Sequence, residues 1–213
     1  MNPEGLTMLK RILTVLSLAG LLFAAAAALA QQAPDALIQR LSNEVIDAIK
    51  ADKAIQAGDL QRINTLVDAK VMPHVNFERM TASAVGRYWR QATPEQQKRL
   101  QDEFKTLLVR TYAGALTQVR DQTVQLKPMR SSPGDNEVVV RTQVIGRGEP
   151  IQLDYRLEKA GSDWRIYDVN VLGVWLVDQY RNSFAQEIGS HGIDGLIAKL
   201  AEHIKTAGTA TKS

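Results

Sequence analysis

Three histidines, His74, His191 and His203, are the side chains best suited to bind a metal ion or to transfer a proton near neutral pH. No H-E-x-x-H spacing connects them, and the chain contains no cysteine, so no zinc-ligand motif is present. The sequence also lacks the motifs for a serine nucleophile, a nucleotide phosphate and a dinucleotide. We therefore expect neither a metal nor a cofactor, and we assign no catalytic residue.

Charged side chains in the last third of the chain leave two other kinds of chemistry open. Asp154 or Asp168 could act as a general base if burial raised its pKa strongly. Arg181, which follows Tyr180, could hold a phosphate group through its guanidinium. A surface ion pair or a bond to backbone is the simpler role for Arg181, and we favour it.

Residues 1–30 have the pattern of a cleaved secretory signal peptide. Lys10 and Arg11 precede an apolar run from Ile12 to Ala27, and Ala28-Leu29-Ala30 provides the small residues of a cleavage site. The run is shorter than the ~20 residues that a membrane-spanning helix needs, although an uncleaved anchor is the alternative. The sequence thus predicts cleavage after Ala30 and a single domain over residues 31–213, outside the cytoplasm.

The charge of the chain is nearly balanced, with 26 Lys and Arg against 23 Asp and Glu. The basic residues do not cluster with interleaved aromatic residues, so we do not expect nucleic-acid binding. A chain of this length can bury a sufficient core without disulfides, which agrees with the absence of cysteine.

The first half of the mature chain has the 3.6-residue period of amphipathic helices. We expect helices beginning at Pro34, after Asp59, after Asn76 as an N-cap, and after Thr93. The last of these has the sequence Thr-Pro-Glu-Gln, which supplies an N-cap, a proline in the first turn and a capping-box glutamine.

From Gln122 the apolar period changes to two, which is typical of strands. Tight turns separate the strands, so they predict an antiparallel meander of about four strands. In the last strand the apolar parity slips between Ile166 and Tyr167, which indicates a β-bulge. Helices return from about Val174. The pattern is that of an α+β domain with helices on one face of a curved sheet.

Apolar and aromatic side chains also occur where a packed core does not require them, notably Phe77, Trp89 and Trp175. A curved sheet with helices on one face leaves a wedge between the two layers, and such wedges hold apolar ligands. The run from Val169 to Val177, without a charged residue, is expected to form part of the wall of this wedge.

Three stretches of the chain resemble the MlaC family of periplasmic phospholipid-binding proteins, also known as toluene-tolerance proteins. They are residues 71–77 (VMPHVNF), residues 86–96 (GRYWRQATPEQ) with the helix that follows, and residues 167–174 (YDVNVLGV) with YRNSF at 180–184. The resemblance covers the whole mature chain. It departs at Asn76, where Asp is usual, and at Trp175, where a small polar residue is usual.

The resemblance implies an NTF2-like cone that encloses an apolar pocket. It also implies a periplasmic carrier, expected to be monomeric, with phospholipid as cargo and no cofactor. Its expected partners are an inner-membrane transporter complex of the MCE/ABC type and an outer-membrane lipoprotein–porin complex. Such a carrier would maintain the lipid asymmetry of the outer membrane.

We expect the apolar pocket to be lined from both layers and from the turn at its mouth. The predicted lipid-binding residues are Phe77, Trp89, Phe104, Leu108, Tyr112, Val140, Val144, Leu153, Tyr155, Val169, Val171, Val174, Trp175, Tyr180 and Arg181.

Two other functions stay open. The same cavity could serve an enzyme acting on a small apolar substrate, with Asp154 or Asp168 as base. Alternatively, the protein could carry lipoproteins or polypeptides, for which a larger and more open groove would be expected.

Overall fold

A computed structural model describes residues 32–129, 132 and 134–209, with side chains through Glu202. The predicted signal peptide, residues 1–30, lies outside the described residues. Ala33–Ser213 forms one compact unit. Within the described part of the chain, no helix has the length and hydropathy needed to cross a membrane.

The N-terminal helices are α1 (Pro34–Ala51), α2 (Lys53–Gln56) and α3 (Leu60–Leu66). Aspartate side chains cap the N-termini of α2 and α3. Asp52 accepts hydrogen bonds from the amides of Ala54 and Ile55, and Asp59 accepts them from the amides of Gln61 and Arg62. The start of a helix predicted after Asp59 is thus confirmed.

A π-helical turn (Val67–Val71) and a 3-10 turn (Met72–His74) lead to α4 (Phe77–Val85). Asn76 caps α4, as predicted, by accepting a hydrogen bond of 3.0 Å from the amide of Arg79. A second 3-10 segment (Gly86–Gln91) precedes the long helix α5 (Pro94–Leu116). Thr93 and Gln96 form both bonds of the predicted capping box.

The strands are β1 (Thr123–Leu126), β2 (Glu137–Ile145), β3 (Ile151–Ala160), β4 (Asp163–Val171) and β5 (Val174–Trp175). They form an antiparallel sheet in the order β1-β2-β3-β4-β5, which confirms the α+β class and the meander. The sheet has five strands rather than about four. The additional strand, β5, contains two residues and is too short to show an alternating pattern.

The predicted β-bulge is present between β3 and β4. The pairing shifts between Arg156 and Leu157, so that Tyr167 is the extra residue on β4. Because of this extra residue, Ile166 before the bulge and Val169 after it lie on the same face of the sheet despite their opposite parity.

The chain ends in α6 (Leu176–Thr209), which is interrupted at Gly192, where φ is 73° and ψ is −179°. This positive φ is readily adopted only by glycine, and it separates two helical segments. Gly192 therefore marks a break in α6.

Three apolar clusters make up the interior. The helical cluster contains Phe77, Met80, Leu100, Phe104, Val177, Phe184 and neighbours from α4, α5 and α6. The sheet cluster joins α1 to the strands through Leu37, Ile38, Leu41, Val138, Val140, Leu157 and Ile166. The N-terminal cluster contains Ile49, Ile55, Ile63, Leu66, Val109 and Ala113.

The long helix α5 contributes to the helical and N-terminal clusters, but none of its described residues belongs to the sheet cluster. Partly buried residues connect the clusters instead. Val75 and Val169 pack against both the helical and the sheet cluster, and Val45 against both the sheet and the N-terminal cluster. The helical cluster and the sheet cluster are thus connected by few side chains.

The capping box of α5 can be tested by replacing Thr93 with Ala. The loss of the hydroxyl leaves the amide of Gln96 without its partner, so the free energy of unfolding should fall by about 1 kcal/mol. Urea denaturation measures this change. Thr93→Ser keeps the hydroxyl and should behave like the wild type; equal stability of the Ala variant would show that the cap is dispensable.

Candidate functional site

One face of the sheet is directed at the helices, and the strand register determines which residues lie on it. Cross-strand partners share a face, and the pairs Val140–Tyr155, Tyr155–Val169, Val144–Ile151 and Leu153–Val171 connect β2, β3 and β4. The structure therefore brings together on this face six residues that the sequence predicted for the pocket: Val140, Val144, Leu153, Tyr155, Val169 and Val171.

Burial on this face decreases from Val140 and Leu157 towards Val144, Ile151 and Val171. Val140 and Leu157, which pack in the sheet cluster beneath α1, are 0% exposed. Further along, Val144, Leu153 and Val171 are only partly buried, and Ile151 is 44% exposed. The apolar face therefore extends beyond the region that α1 covers, and this uncovered apolar surface is the candidate site.

Aromatic side chains dominate the helical side. The Phe104 ring lies 5.1 Å from Tyr180, 5.3 Å from Phe184 and 5.8 Å from Phe77, measured between centroids. Phe104 is 0% exposed and Phe77 9%, so both are core residues behind the site. The other predicted helical residues, Trp89, Leu108, Tyr112 and Tyr180, are partly buried.

Three phenols have raised pKa values in this interior. Burial raises the pKa of Tyr112, Tyr155 and Tyr180, and the hydroxyls of Thr111, Ser42 and Thr142 provide hydrogen bonds that partly offset the effect for the last two. All three are therefore neutral at physiological pH, and the interior they face is weakly polar.

Three predicted residues lie away from this face or at its edge. Val174 is 50% exposed beyond the end of β4. Trp175 pairs with Asn170 and so lies on the opposite, outer face, where its ring stacks on the Arg156 guanidinium at 3.9 Å. Arg181 donates a hydrogen bond of 3.2 Å to the Ser83 carbonyl and lies 3.4 Å from Asp178, which are the two simpler roles considered for it.

Asp168 anchors the outer face, a role that the sequence did not reveal. Its side chain is 1% exposed; Oδ1 accepts hydrogen bonds from the amides of Val169 and Val177, and Oδ2 accepts one of 2.8 Å from Arg156. The only sequence signal was an acidic residue inside an apolar strand, which we considered as a candidate base.

Asp168 and Asp154, the two residues considered as a base, both lie on the outer face of the sheet. Burial raises the pKa of Asp168, while the Val177 amide and the charge of Arg156 lower it. Both Asp168 oxygens are already bonded to structural donors. Asp154 is 5% exposed and lies on the outer face, because it pairs with Asn170, so it is directed away from the candidate site.

The described histidine side chains, His74 and His191, belong to no candidate metal site. His191 pairs with Glu187 through Nδ1 at 2.8 Å, and the His203 side chain lies outside the described residues. In the part of the chain that the structure describes, no group of three or more His, Cys, Asp or Glu side chains could hold a metal ion.

A groove of about 430 Å³ lies on the outer face, lined in part by Glu137, Arg141, Arg156 and Tyr167. Its charged walls make it unsuited to an apolar ligand. The helix-facing side, with its partly buried apolar side chains, has the composition of a binding site for an apolar molecule. Together, the α+β fold and this surface define the class of the protein as a binding domain.

Comparisons with known proteins agree with that class. The sequence profile of the family described as MlaC protein matches residues 39–202. The chain belongs to the MlaC family.

Relatives and solved structures extend the comparison. The intermembrane phospholipid transport system binding protein MlaC of Haemophilus influenzae is 25% identical over 179 residues, 82% of this chain and 84% of that protein. The toluene tolerance protein ttg2D of Pseudomonas putida is 27% identical over 166 residues, 78% of this chain and 77% of its own. A phospholipid-binding protein from Ralstonia solanacearum, solved in complex with a phospholipid, is 46% identical with a TM-score of 0.79, covering 84% of this chain and 98% of its own.

Because Asp168 anchors the outer face, its replacement should destabilise the protein much more than replacement of Asp178, the other aspartate near Arg156. Asp168→Asn removes the buried partner of Arg156 and should lower the free energy of unfolding by about 3 kcal/mol. Asp178→Asn is the matched control, since Asp178 lies 3.9 Å from Arg156 and is half exposed; its loss should cost less than about 1 kcal/mol. Urea denaturation of both variants checks this, and equal losses would contradict it.

Proposed function

We propose that this protein is a soluble periplasmic carrier that shuttles phospholipid between outer- and inner-membrane complexes and so maintains the lipid asymmetry of the outer membrane. The observation that carries the proposal is the apolar face of the sheet that α1 leaves partly uncovered, in a chain 46% identical to a protein solved with a bound phospholipid. The acyl tails would lie against this face, and the head group would face solvent.

The energy of hydration explains why a carrier is needed. Exposing a CH₂ group to water costs about 0.8 kcal/mol, so an acyl chain of ordinary length costs on the order of 10 kcal/mol. Free phospholipid therefore does not cross an aqueous compartment at a useful rate. A protein that replaces the bilayer interior with its own apolar side chains removes most of this cost.

The proposed lining combines residues from both layers. It consists of Trp89, Leu108, Tyr112, Val144, Leu153, Tyr155, Val169, Val171 and Tyr180, with Phe77, Phe104 and Val140 supporting them from the core. Neutral phenols suit this lining, since they add apolar area and a hydroxyl that can bond to ester or glycerol oxygens.

The proposal includes a compartment and partners for the carrier. The signal-peptide pattern of residues 1–30 supports export to the periplasm. We propose the MCE/ABC complex of the inner membrane and the lipoprotein–porin complex of the outer membrane as the partners of a monomeric carrier. Phospholipid is its cargo, and the proposal needs neither a cofactor nor catalysis.

Extraction of the purified protein followed by mass spectrometry tests the cargo directly. We expect phospholipid from the wild type, and less from Leu153→Asp or Val171→Glu, because a carboxylate on this face would have to be buried against acyl chains. Val139→Asp, on the outer face of β2, is the matched control and should retain its lipid. A wild type that carries peptide, a small metabolite or nothing would refute the carrier proposal.

Arg181 can be tested separately as a phosphate contact. Its Nε and Nη1 atoms already have partners, so only its remaining N–H groups are available to a phosphate. If they bind the head group, Arg181→Ala should lose lipid during gel filtration faster than the wild type, and Arg181→Lys should lose it less rapidly. Unchanged retention in Arg181→Ala would remove Arg181 from the site and leave the apolar lining untouched.

A further inference from the structure

The three phenols of the candidate site differ in what their hydroxyl groups contact. The Tyr155 hydroxyl is hydrogen-bonded to two other hydroxyls, one from α1 and one from β2, and the Tyr180 hydroxyl is bonded to Thr111. Among the residues that the structure describes, the Tyr112 hydroxyl has no hydrogen-bond partner. Burial raises the pKa of Tyr112, so this hydroxyl keeps its proton and is a free hydrogen-bond donor.

Tyr112 also lies outside the packed core. Tyr155 packs against the sheet cluster and Tyr180 against the helical cluster, but Tyr112 is not among the described members of any of the three clusters. Leu108, which precedes it by one turn on the same face of α5, still packs against the helical cluster. Tyr112 is nevertheless partly buried. A phenol that is partly buried without being a core residue is what the margin of a binding site requires.

The fold places Tyr112 near the end of β4, where the apolar face is only partly buried. Helix α6 begins at Leu176, directly after β5, and β5 pairs with Asn170 and Val171 at the end of β4. Tyr180 is four residues into α6, about 6 Å along the helix axis from Leu176. The Tyr180 phenol contributes to the raised pKa of Tyr112, so the two side chains are neighbours. Tyr112 therefore lies close to the partly exposed Val171 end of the sheet.

A phospholipid bound as proposed brings its ester carbonyls to this part of the site. The esters connect the tails to the head group, so they lie where the apolar face gives way to solvent. A carbonyl oxygen only accepts hydrogen bonds, and it is unfavourable for it to leave water without gaining a donor. The valine and leucine side chains of the face have no donor to offer. The Tyr112 hydroxyl is a donor in the required position, and a lipid that shields it from water supplies the acceptor it lacks.

We propose that the Tyr112 hydroxyl donates a hydrogen bond to an ester carbonyl of the bound phospholipid and so makes the carrier select ester-linked lipids over their ether-linked analogues. The inference rests on the proposed function and assigns a specificity-determining residue to it. A site that only provides apolar area accepts any molecule with suitable tails. A donor placed for a carbonyl discriminates against a lipid that lacks it, because the donor is then left without a partner.

Competition between a diester and a diether phospholipid of the same head group and chain length tests the proposal, because the diether lacks both carbonyls. The purified protein is incubated with vesicles that contain equal amounts of the two, and mass spectrometry of the protein gives the ratio of bound diester to bound diether. This ratio should be about fivefold lower for Tyr112→Phe than for the wild type, the net effect of one hydrogen bond. Comparing two lipids on two proteins separates the hydroxyl–carbonyl contact from general effects on binding.

Two further tyrosines provide comparisons for the same chemical change. Tyr88→Phe is the matched control, since Tyr88 lies outside the proposed lining and its hydroxyl accepts a 3.0 Å hydrogen bond from Arg87; it should keep the wild-type ratio. Tyr180→Phe is the comparison inside the site. Because the Tyr180 hydroxyl already has Thr111 as partner, its removal should change the ratio less than Tyr112→Phe does.

The stability of the lipid-free protein excludes a purely structural role for the hydroxyl. Tyr112→Phe removes a group without a partner among the described residues, so the urea midpoint of the delipidated variant should equal that of the delipidated wild type. With bound diester phospholipid, the midpoint of the variant should be the lower of the two, since a ligand stabilises the folded state according to its affinity.

Three results would overturn the proposal. The first is the same lipid ratio for Tyr112→Phe and the wild type, and the second is an equal fall of the ratio in Tyr180→Phe. The third is a loss of stability of lipid-free Tyr112→Phe, which would show that the hydroxyl supports the fold. Failure of the carrier function gives a different result, because the wild type would then take up neither lipid.

Discussion

The helix-facing side of the sheet is largely apolar, and α1 buries only part of it completely. Water cannot be left in contact with such a surface without a cost of about 25 cal/mol for each Å² of apolar area. In the sheet cluster, α1 removes that cost by covering Val140 and Leu157 completely. Beyond that cluster, Leu153 and Val171 stay partly exposed and Ile151 is 44% exposed, and the proposed function assigns their cover to acyl chains.

The position of α5 makes this arrangement possible. Its buried residues pack on the other helices, through Phe104 on one side and Val109 on the other, and its described residues stay out of the sheet cluster. The complete cover of the sheet cluster therefore comes from α1 and not from α5. The capping box fixes the start of α5 at Thr93.

The outer face of the sheet contains buried polar side chains instead of an apolar surface. Asn170 and Asp168 are buried and accept the amides of Gly173 and Val177, which fixes the β4–β5 turn and the start of α6, and Arg156 bonds to Asp168. Buried polar groups of this kind add little net stability, but they specify one geometry where apolar packing would allow several.

The proposed carrier is passive, so any direction of transport comes from the relative affinities of its partners and the energy they use.

The sequence by itself determined the class of the fold and most of its helices and strands. Caps at Asp59, Asn76 and Thr93, the change of apolar period near Gln122 and the bulge at Tyr167 all depend on neighbouring residues, and the structure contains each of them. The sequence did not determine the short strand β5, the face of the sheet on which Trp175 lies, or the anchoring role of Asp168. These depend on a two-residue turn that reverses the chain and pairs Trp175 with Asn170. Only the tertiary structure decided which apolar residues are buried in the core and which stay exposed. Burial depends on the distant segment that packs against a residue, and a local sequence pattern contains no information about that segment.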